Sequence, residues 1–271
     1  MSTAVATSRA PGRRSPRFGQ WALPWVGVLA ILALLELVVR VRIIPSRYFP
    51  PMTTTFGTLF KQLGEASFWK AVLQTLEGWA LGLGIAAIIA IPLGMLIGSN
   101  QFVYRGLRPI IEFLRPIPSV ALIPLAVLVY GTGLESKVFL AVFASFWPLF
   151  VQTLYGVQDV DPVVTDTARS FGLGRFERIW RIRLPAAVPY IATGVRISSA
   201  VALILAVTAE LVIGSAGLGR SISVAQSGGA IDVMYALIIA TGILGWLLNI
   251  LATRGERRVL HWHPSQRELP A

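Results

Sequence analysis

Four carboxylates, Glu36, Glu77, Glu112 and Glu210, stand in or beside long apolar runs. A charge at the centre of a bilayer costs at least ~2.5 kcal/mol on insertion scales. Such a group either relays a proton or ion, or sits near a helix end and pairs inside a bundle. Glu210 follows Tyr190 by about the ~20 residues that cross a bilayer. It is therefore expected near the outer interface, in a structural or gate-pairing role. Arg196, a turn or two inside the same run, is expected to snorkel inward, pair with a carboxylate or line a mouth. Other chemistries lack their residues. The chain has no cysteine, which excludes thiol and disulfide chemistry. His261 and His263 sit in a C-terminal HWH without a third ligand cluster, so no metal site is expected. The run Gly214-Ser215-Ala216-Gly217-Leu218-Gly219 is glycine-rich, yet no G-x-x-x-x-G-K-[ST] sequence exists to cradle phosphates. A gate-lining turn on the outer face, with Gly217 and Gly219, is the expectation there. The chain alone is expected to catalyse nothing and to hold no cofactor.

A second constellation is a polar island, Asp159 to Pro189, in an otherwise apolar chain. It carries Arg169, Arg175, Arg178, Arg181 and Arg183 around the turn Gly172-Leu173-Gly174. That length is unusual for a helix connection, so a partner outside the bilayer must hold it. Two short helices fit. The first runs from Pro162 to Phe171, with Asp161 as cap and proline in the first turn. Gly172 and Gly174 then reverse the chain. The second runs from Arg175 to Ile182, and Leu184-Pro185 is expected to stop it before Pro189 restarts a span. Phe171, Leu173, Phe176, Ile179 and Trp180 offer apolar contacts, and the arginines offer pairing to acids or carbonyls.

The elements that position these groups follow from hydropathy. The 271 residues are 55% hydrophobic and 14% charged, with a mean hydropathy of +0.68; soluble domains carry about 25% charge. Lipid is therefore the main solvent. The net charge of +11 is read as membrane-flanking rather than as a nucleic-acid footprint, since no basic helix or aromatic platform accompanies it. Apolar windows predict six helices, at 21–39, 76–98, 116–132, 137–156, 190–213 and 233–252. The third is expected to be kinked by Pro116, Pro118 and Pro124, either as a gating element or as a packing irregularity. Residues 1–20 are expected to be a disordered basic tail, followed by an uncleaved first span, and 253–271 a C-terminal tail. A short interfacial helix, capped by Thr53, Thr54 or Thr55, is predicted through Leu63. Basic residues are in excess on one side if both termini lie inside, with Lys137 counted among the outer charges. The expected topology is thus N-in, C-in, with the island in the cytoplasm.

The island has a specific order. Asp166-Thr167-Ala168, three residues, Gly172, nine residues, then Ile182-Arg183-Leu184-Pro185 resembles the cytoplasmic "EAA" loop of ATP-binding-cassette importer permeases. Asp166 stands where that pattern has Glu, and Thr167 where it has the first Ala. SVALIPLAVLVYGTGLESKVF from Ser119 and AELVIGSAGLGRSI from Ala209 are similar to the sulfonate, taurine and nitrate branch. The resemblance spans roughly residues 45–265. It implies an all-α permease of six spans that works as a homodimer in the cell membrane. It also implies two ATPase subunits beneath, which bind the ATP and Mg, and an extracytoplasmic substrate-binding protein above. Small anions such as alkanesulfonate, taurine or nitrate are the implied cargo. Asp166, Ala168, Arg169, Phe171, Gly172, Leu173, Phe176, Trp180, Ile182, Leu184 and Pro185 become ATPase-docking candidates. Pro116, Pro118, Glu210, Gly217 and Gly219 become pathway or gate candidates. The rival reading is an ion-coupled secondary transporter that uses the intramembrane carboxylates. A membrane scaffold without transport is the third.

Overall fold

The computed structural model describes residues 18–261, and side-chain surroundings from Leu23 onward. The basic segment 1–17, His263 and Arg267 lie outside the described residues. Every regular element among the described residues is helical. In lipid this follows from the backbone, whose polar groups must be satisfied within one segment.

The chain divides into two compact units, residues 1–54 and 55–271. In the first, α1 (Phe18–Arg40) already begins at Phe18, inside the expected disordered tail. It ends in a turn that leads to the start of α2 (Met52–Leu63). The three threonines do not cap α2, because the helix starts before them. Glu36 does so instead: its carboxylate accepts from Thr53 N at 3.2 Å and Thr53 Oγ1 at 3.0 Å, and pairs with Arg40 at 2.7 Å.

The second unit holds the rest of α2, then α3 (Ala66–Gly98), α4 (Gln101–Leu114), α5 (Ile123–Tyr130), α6 (Leu134–Gln158), α7 (Pro162–Ser170), α8 (Arg175–Arg178), α9 (Leu184–Ile213), α10 (Leu218–Ser227) and α11 (Ile231–Val259). Helices α1, α3, α6, α9 and α11 are each long and apolar enough to cross a membrane. A sixth span exists if α4 and the Ser119–Tyr130 segment, bent by 79° from each other, count as one.

That bent pair corrects the expected third span. Residues 116–132 do not form one kinked helix. Arg115-Pro116-Ile117-Pro118 is a break, followed by a short 3-10 turn at Ser119–Leu122 and by α5. Pro116 and Pro118 lack the N–H that a continuing helix needs; Arg115 still holds helical angles as the C-cap of α4, and the chain becomes extended at Pro118, φ −64° and ψ 117°. Other ends also move. Helix α3 starts at Ala66, well before residue 76, and α11 runs on to Val259 with Arg254, Arg257 and Arg258 in its last turns. Leu184-Pro185 does not stop the island's second helix either. Helix α8 continues through a π turn at Ile179–Arg183 directly into α9. Leu184 N reaches back to Ile179 O, and the extra residue in that turn accommodates the prolines that follow.

The core is a three-helix layer of α3, α6 and α9. On α3, small residues recur every fourth position: Gly78, Gly82, Ala86, Ala90, Gly94 and Gly98. Gly82 lies against Ala141, Gly94 against Thr153 and Gly98 against Val157 of α6. Each step of four on α3 meets a step of four on α6 in the same direction, so the two helices run parallel. The broken α4–α5 pair supplies the return between them. Helix α6 meets α9 antiparallel, with Gly156 under Tyr190 and Gly194 under Leu149. Ser198 adds a 2.7 Å bond to Ser145 O. Lipid tails give helices no hydrophobic reason to associate, so close backbone approach over small residues carries the packing.

Substituting Gly82 by Leu places bulk where even a methyl would overlap Ala141. It should lower stability by roughly 1–3 kcal/mol or more. Gly84→Leu, with nothing within 4 Å, should be near neutral. Thermal melts of the detergent-solubilised chain distinguish the two.

Candidate functional site

Two sites lie at opposite ends of the α6–α9 pair. At the end formed by the start of α6 and the close of α9, Lys137 and Glu210 form a buried ion pair. Nζ lies 2.9 Å from Oε1, with the side chains 2% and 0% exposed. Lys137 also donates to Gln74 O and Ala216 O, both at 2.8 Å, so all three ammonium hydrogens have acceptors. The other Glu210 oxygen accepts from Thr75 Oγ1 at 2.9 Å and Gly219 N at 3.0 Å. Thr75 Oγ1 in turn accepts from Leu218 N at 2.9 Å. The network ties α3, α6 and α9 to the glycine-rich turn. Glycine is required around it. A methyl at Gly78 would sit 2.6 Å from Lys137 Cε. Gly217, at φ +152°, leaves no space between its Cα and the Glu210 carboxylate. Gly219 is pressed on the backbone of Val207 in the same way.

Glu210 therefore pairs inside the bundle, as one of its two sequence readings expected. Its partner was not anticipated. Lys137 is not an outer-loop charge; it lies buried in the first turn of α6. The available signal was a lysine opening an apolar run, with a carboxylate closing another. The remaining carboxylates are dispersed. Glu112 pairs with Arg108 at 2.7 Å on an exposed face, and Glu77 is exposed. Arg196 pairs with Glu256 at 3.1 Å, and Thr193 bonds the same residue at 3.1 Å, tying α9 to α11.

Pro116 and Pro118 belong elsewhere. Their break borders a cavity of about 390 Å³ lined by Arg115, Ser119, Trp147, Gln152 and Tyr155, with Ile197 of α9 opposite. Glu210 is about 20 Å further along α9 at 1.5 Å per residue. The structure thus separates the expected pathway residues into two groups.

At the other end stands the island. Asp161 caps α7 by accepting from Val163 N at 2.8 Å. The helix closes in a Schellman motif: Leu173 N bonds Ala168 O and Gly172 N bonds Arg169 O, both at 3.0 Å. Gly172 takes φ +79°, but Gly174 does not; it sits at φ −62° as the cap of α8. Glu177 accepts from Gly174 N at 3.2 Å. Two bonds brace the unit against the bundle, Arg183 to Ser99 O at 2.6 Å and Tyr190 to Asp159 at 2.6 Å. Phe171, Phe176 and Trp180 are 81%, 72% and 55% exposed, with the last two rings 6.0 Å apart. Asp166, Arg169 and Pro185 are also exposed, and Asp166 pairs with Arg169 at 3.2 Å. Ala168 is buried, and Leu173, Ile182 and Leu184 are half-buried. Ile179 and Leu184 pack on Met95, Val157 and Ala187. The exposed apolar patch is thus narrower than the sequence suggested.

Residues 90–261 match the profile of the binding-protein-dependent transport system inner membrane component. The chain belongs to that family. It is a multi-pass membrane permease subunit of an ATP-binding-cassette importer, which displaces the ion-coupled and scaffold readings. The permease is 33% identical over 244 residues to the taurine transport system permease protein TauC of Escherichia coli, covering 88% of this chain and 89% of that one. It is 35% identical over 178 residues to the nitrate import permease protein NrtB of Synechocystis, covering 66% and 65%. Its fold is similar to a chain of the inward-facing MetNI methionine ABC transporter, with a TM-score of 0.61 at 20% identity over 71% of this chain and 96% of that one. A bacterial ABC transporter that imports alginate gives a TM-score of 0.59 at 15% identity over 90% and 99%.

Removing one partner of the buried pair leaves the other charge uncompensated. Lys137→Met or Glu210→Gln should each cost the permease about 3–5 kcal/mol. The double variant Lys137→Met, Glu210→Gln should cost clearly less than the two single losses added. A double-mutant cycle on detergent melts measures the difference.

Proposed function

We propose that this permease carries small anions of the taurine, alkanesulfonate or nitrate class across the membrane, driven by ATP that separate subunits hydrolyse. The single observation that carries the coupling is the exposed aromatic face of Phe171, Phe176 and Trp180 on a loop with both ends built into core helices. Two ATPase subunits would hold ATP and Mg and seat this face in a groove. Arg169 and Asp166 would flank the contact, with the buried Ala168 packing α7 beneath it. Basic residues favour a cytoplasmic island and a permease with both termini inside: Arg254, Arg257 and Arg258 close α11 as the island's arginines close its loop. A second copy of the chain would complete the pathway on the face of α5, α6 and α9. An extracytoplasmic binding protein would deliver cargo at the Lys137–Glu210 end.

The anion class has two supports. The relatives' names give taurine and nitrate as their cargo. In this chain, the cavity beside the Pro116–Pro118 break carries one formal charge, Arg115, among Ser119, Trp147 and Gln152. A fixed cation with neutral hydrogen-bond donors around it suits a small anion and repels a cation.

Co-purification with a candidate ATPase subunit tests the docking. Gly172→Glu should weaken binding roughly tenfold or more, because it forces a bulky charged residue to φ +79° beside Phe171. ATP-dependent uptake of taurine or nitrate into proteoliposomes should fall with it. The melting temperature of the bundle should hold. Undiminished binding with unchanged uptake would sink the docking claim.

A further inference from the structure

Four arginines of the island, Arg169, Arg175, Arg178 and Arg183, line open cavities beside the aromatic face, and Arg169 also flanks that face. Two adjoining open cavities, of about 630 and 400 Å³, lie between the island and the corner that joins α3 to α4. Ser99, Gln101, Arg169 and Arg183 line both. Arg105 and Arg108 of α4 wall the first, and Arg175 and Arg178 wall the second. Asp166 is the one carboxylate in either wall. Phe171, Phe176 and Trp180 line neither.

The charge balance is lopsided. Arg108 pairs with Glu112 and Arg169 with Asp166. Among the described residues, Arg105, Arg175, Arg178 and Arg183 have no carboxylate within ion-pair distance. Arg178 and Arg183 are half-buried. Arg183 is also fixed in place by its 2.6 Å bond to Ser99 O. Helices α3 and α6, both long and apolar enough to cross a membrane, end beside the cleft at Gly98 and Gln158, and the end of a spanning helix is where a headgroup would be met. Guanidinium forks match phosphate oxygens in geometry and charge.

We propose that this cleft binds a phosphate group, supplied by a phospholipid headgroup or by free inorganic phosphate. The chemistry is the same for both sources. A headgroup would bridge α4 to the island from the bilayer side; free phosphate would do so from solvent. Either would cross-link the loop to the α3–α4 corner without touching the aromatic face. The site does not depend on the transport reading, since phosphate binding is measured on the permease alone.

The test uses the full chain purified in detergent. Native mass spectrometry counts retained phosphatidylglycerol against phosphatidylcholine, and calorimetry titrates inorganic phosphate. Arg105→Gln with Arg178→Gln should weaken the wild-type interaction roughly twenty-fivefold, about fivefold for each basic residue at a membrane surface. Arg254→Gln, an exposed arginine on α11, should leave it intact. Selective phosphatidylglycerol retention assigns the headgroup; saturable phosphate binding assigns the free anion. The proposal is overturned if wild type shows neither. Equal binding by the double variant, or an equal loss in Arg254→Gln, also overturns it. The single variants are read by the same two measurements should the double variant melt early.

Discussion

Everything in this permease depends on how closely α6 can approach two neighbours at once. Helix α3 meets it along Gly82, Gly94 and Gly98, and α9 meets it through Gly156 and Gly194. Neither contact is driven by water leaving an apolar surface, because the competing solvent is lipid. Dispersion and the close register of backbones do the holding. Such packing tolerates little change of shape, and this turns three helices into one rigid body. The loop at one end and the ion pair at the other are both consequences of that rigidity.

The Lys137–Glu210 pair is feasible because the glycines leave room for it. A buried ion pair generally contributes little net stability over an apolar substitute. Its value here is in direction. Lys137 Nζ is held by three acceptors from three segments, and Glu210 by donors from α3, α6 and the start of α10. A shift of any one of these helices along its axis would break at least one of these bonds. The pair thus fixes one register for α3, α6, α9 and the turn at Gly217, at the end of the bundle furthest from the island.

Long-range apolarity was legible, and so was the island. The spans centred on 76–98, 137–156, 190–213 and 233–252 appear as α3, α6, α9 and α11, and Asp161, Pro162 and Gly172 take the positions their chemistry requires. What failed was punctuation. Pro116 and Pro118 break a helix, while Pro185 and Pro189 are absorbed into one, although proline in either place marks a helix boundary by its chemistry. The difference is tertiary. Around Pro185 the π turn is held by Leu184 and Ile179 packing on Met95 and Val157, whereas the 115–118 break has no buried residue to pull it straight. The Lys137–Glu210 pairing was invisible for a related reason. It joins residues from two spans, and only their antiparallel alignment brings them together. The four-residue small-residue repeat of α3 is legible as a close-packing face; that α6 is its partner is seen only in the structure.

Under the proposed coupling, the absorbed prolines matter for force. Helix α8 is too short to hold a shape alone, yet it runs without interruption into a long core helix. A push on Phe176 or Trp180 therefore acts on α9 as on a lever, with the π turn as the place where it could yield. Arg183 resists that yielding, because its bond to Ser99 O pins the turn to the end of α3. On the other side, Tyr190 is bonded to Asp159 at the end of α6. The two bonds straddle the point where the island enters the bundle, so displacement of the loop shifts α9 together with both of its neighbours rather than bending it away from them. A flexible linker in the same place would dissipate the motion in its own torsions. The π turn, in which Leu184 N bonds Ile179 O, keeps the connection continuous where the chain passes Pro185, which has no N–H to donate.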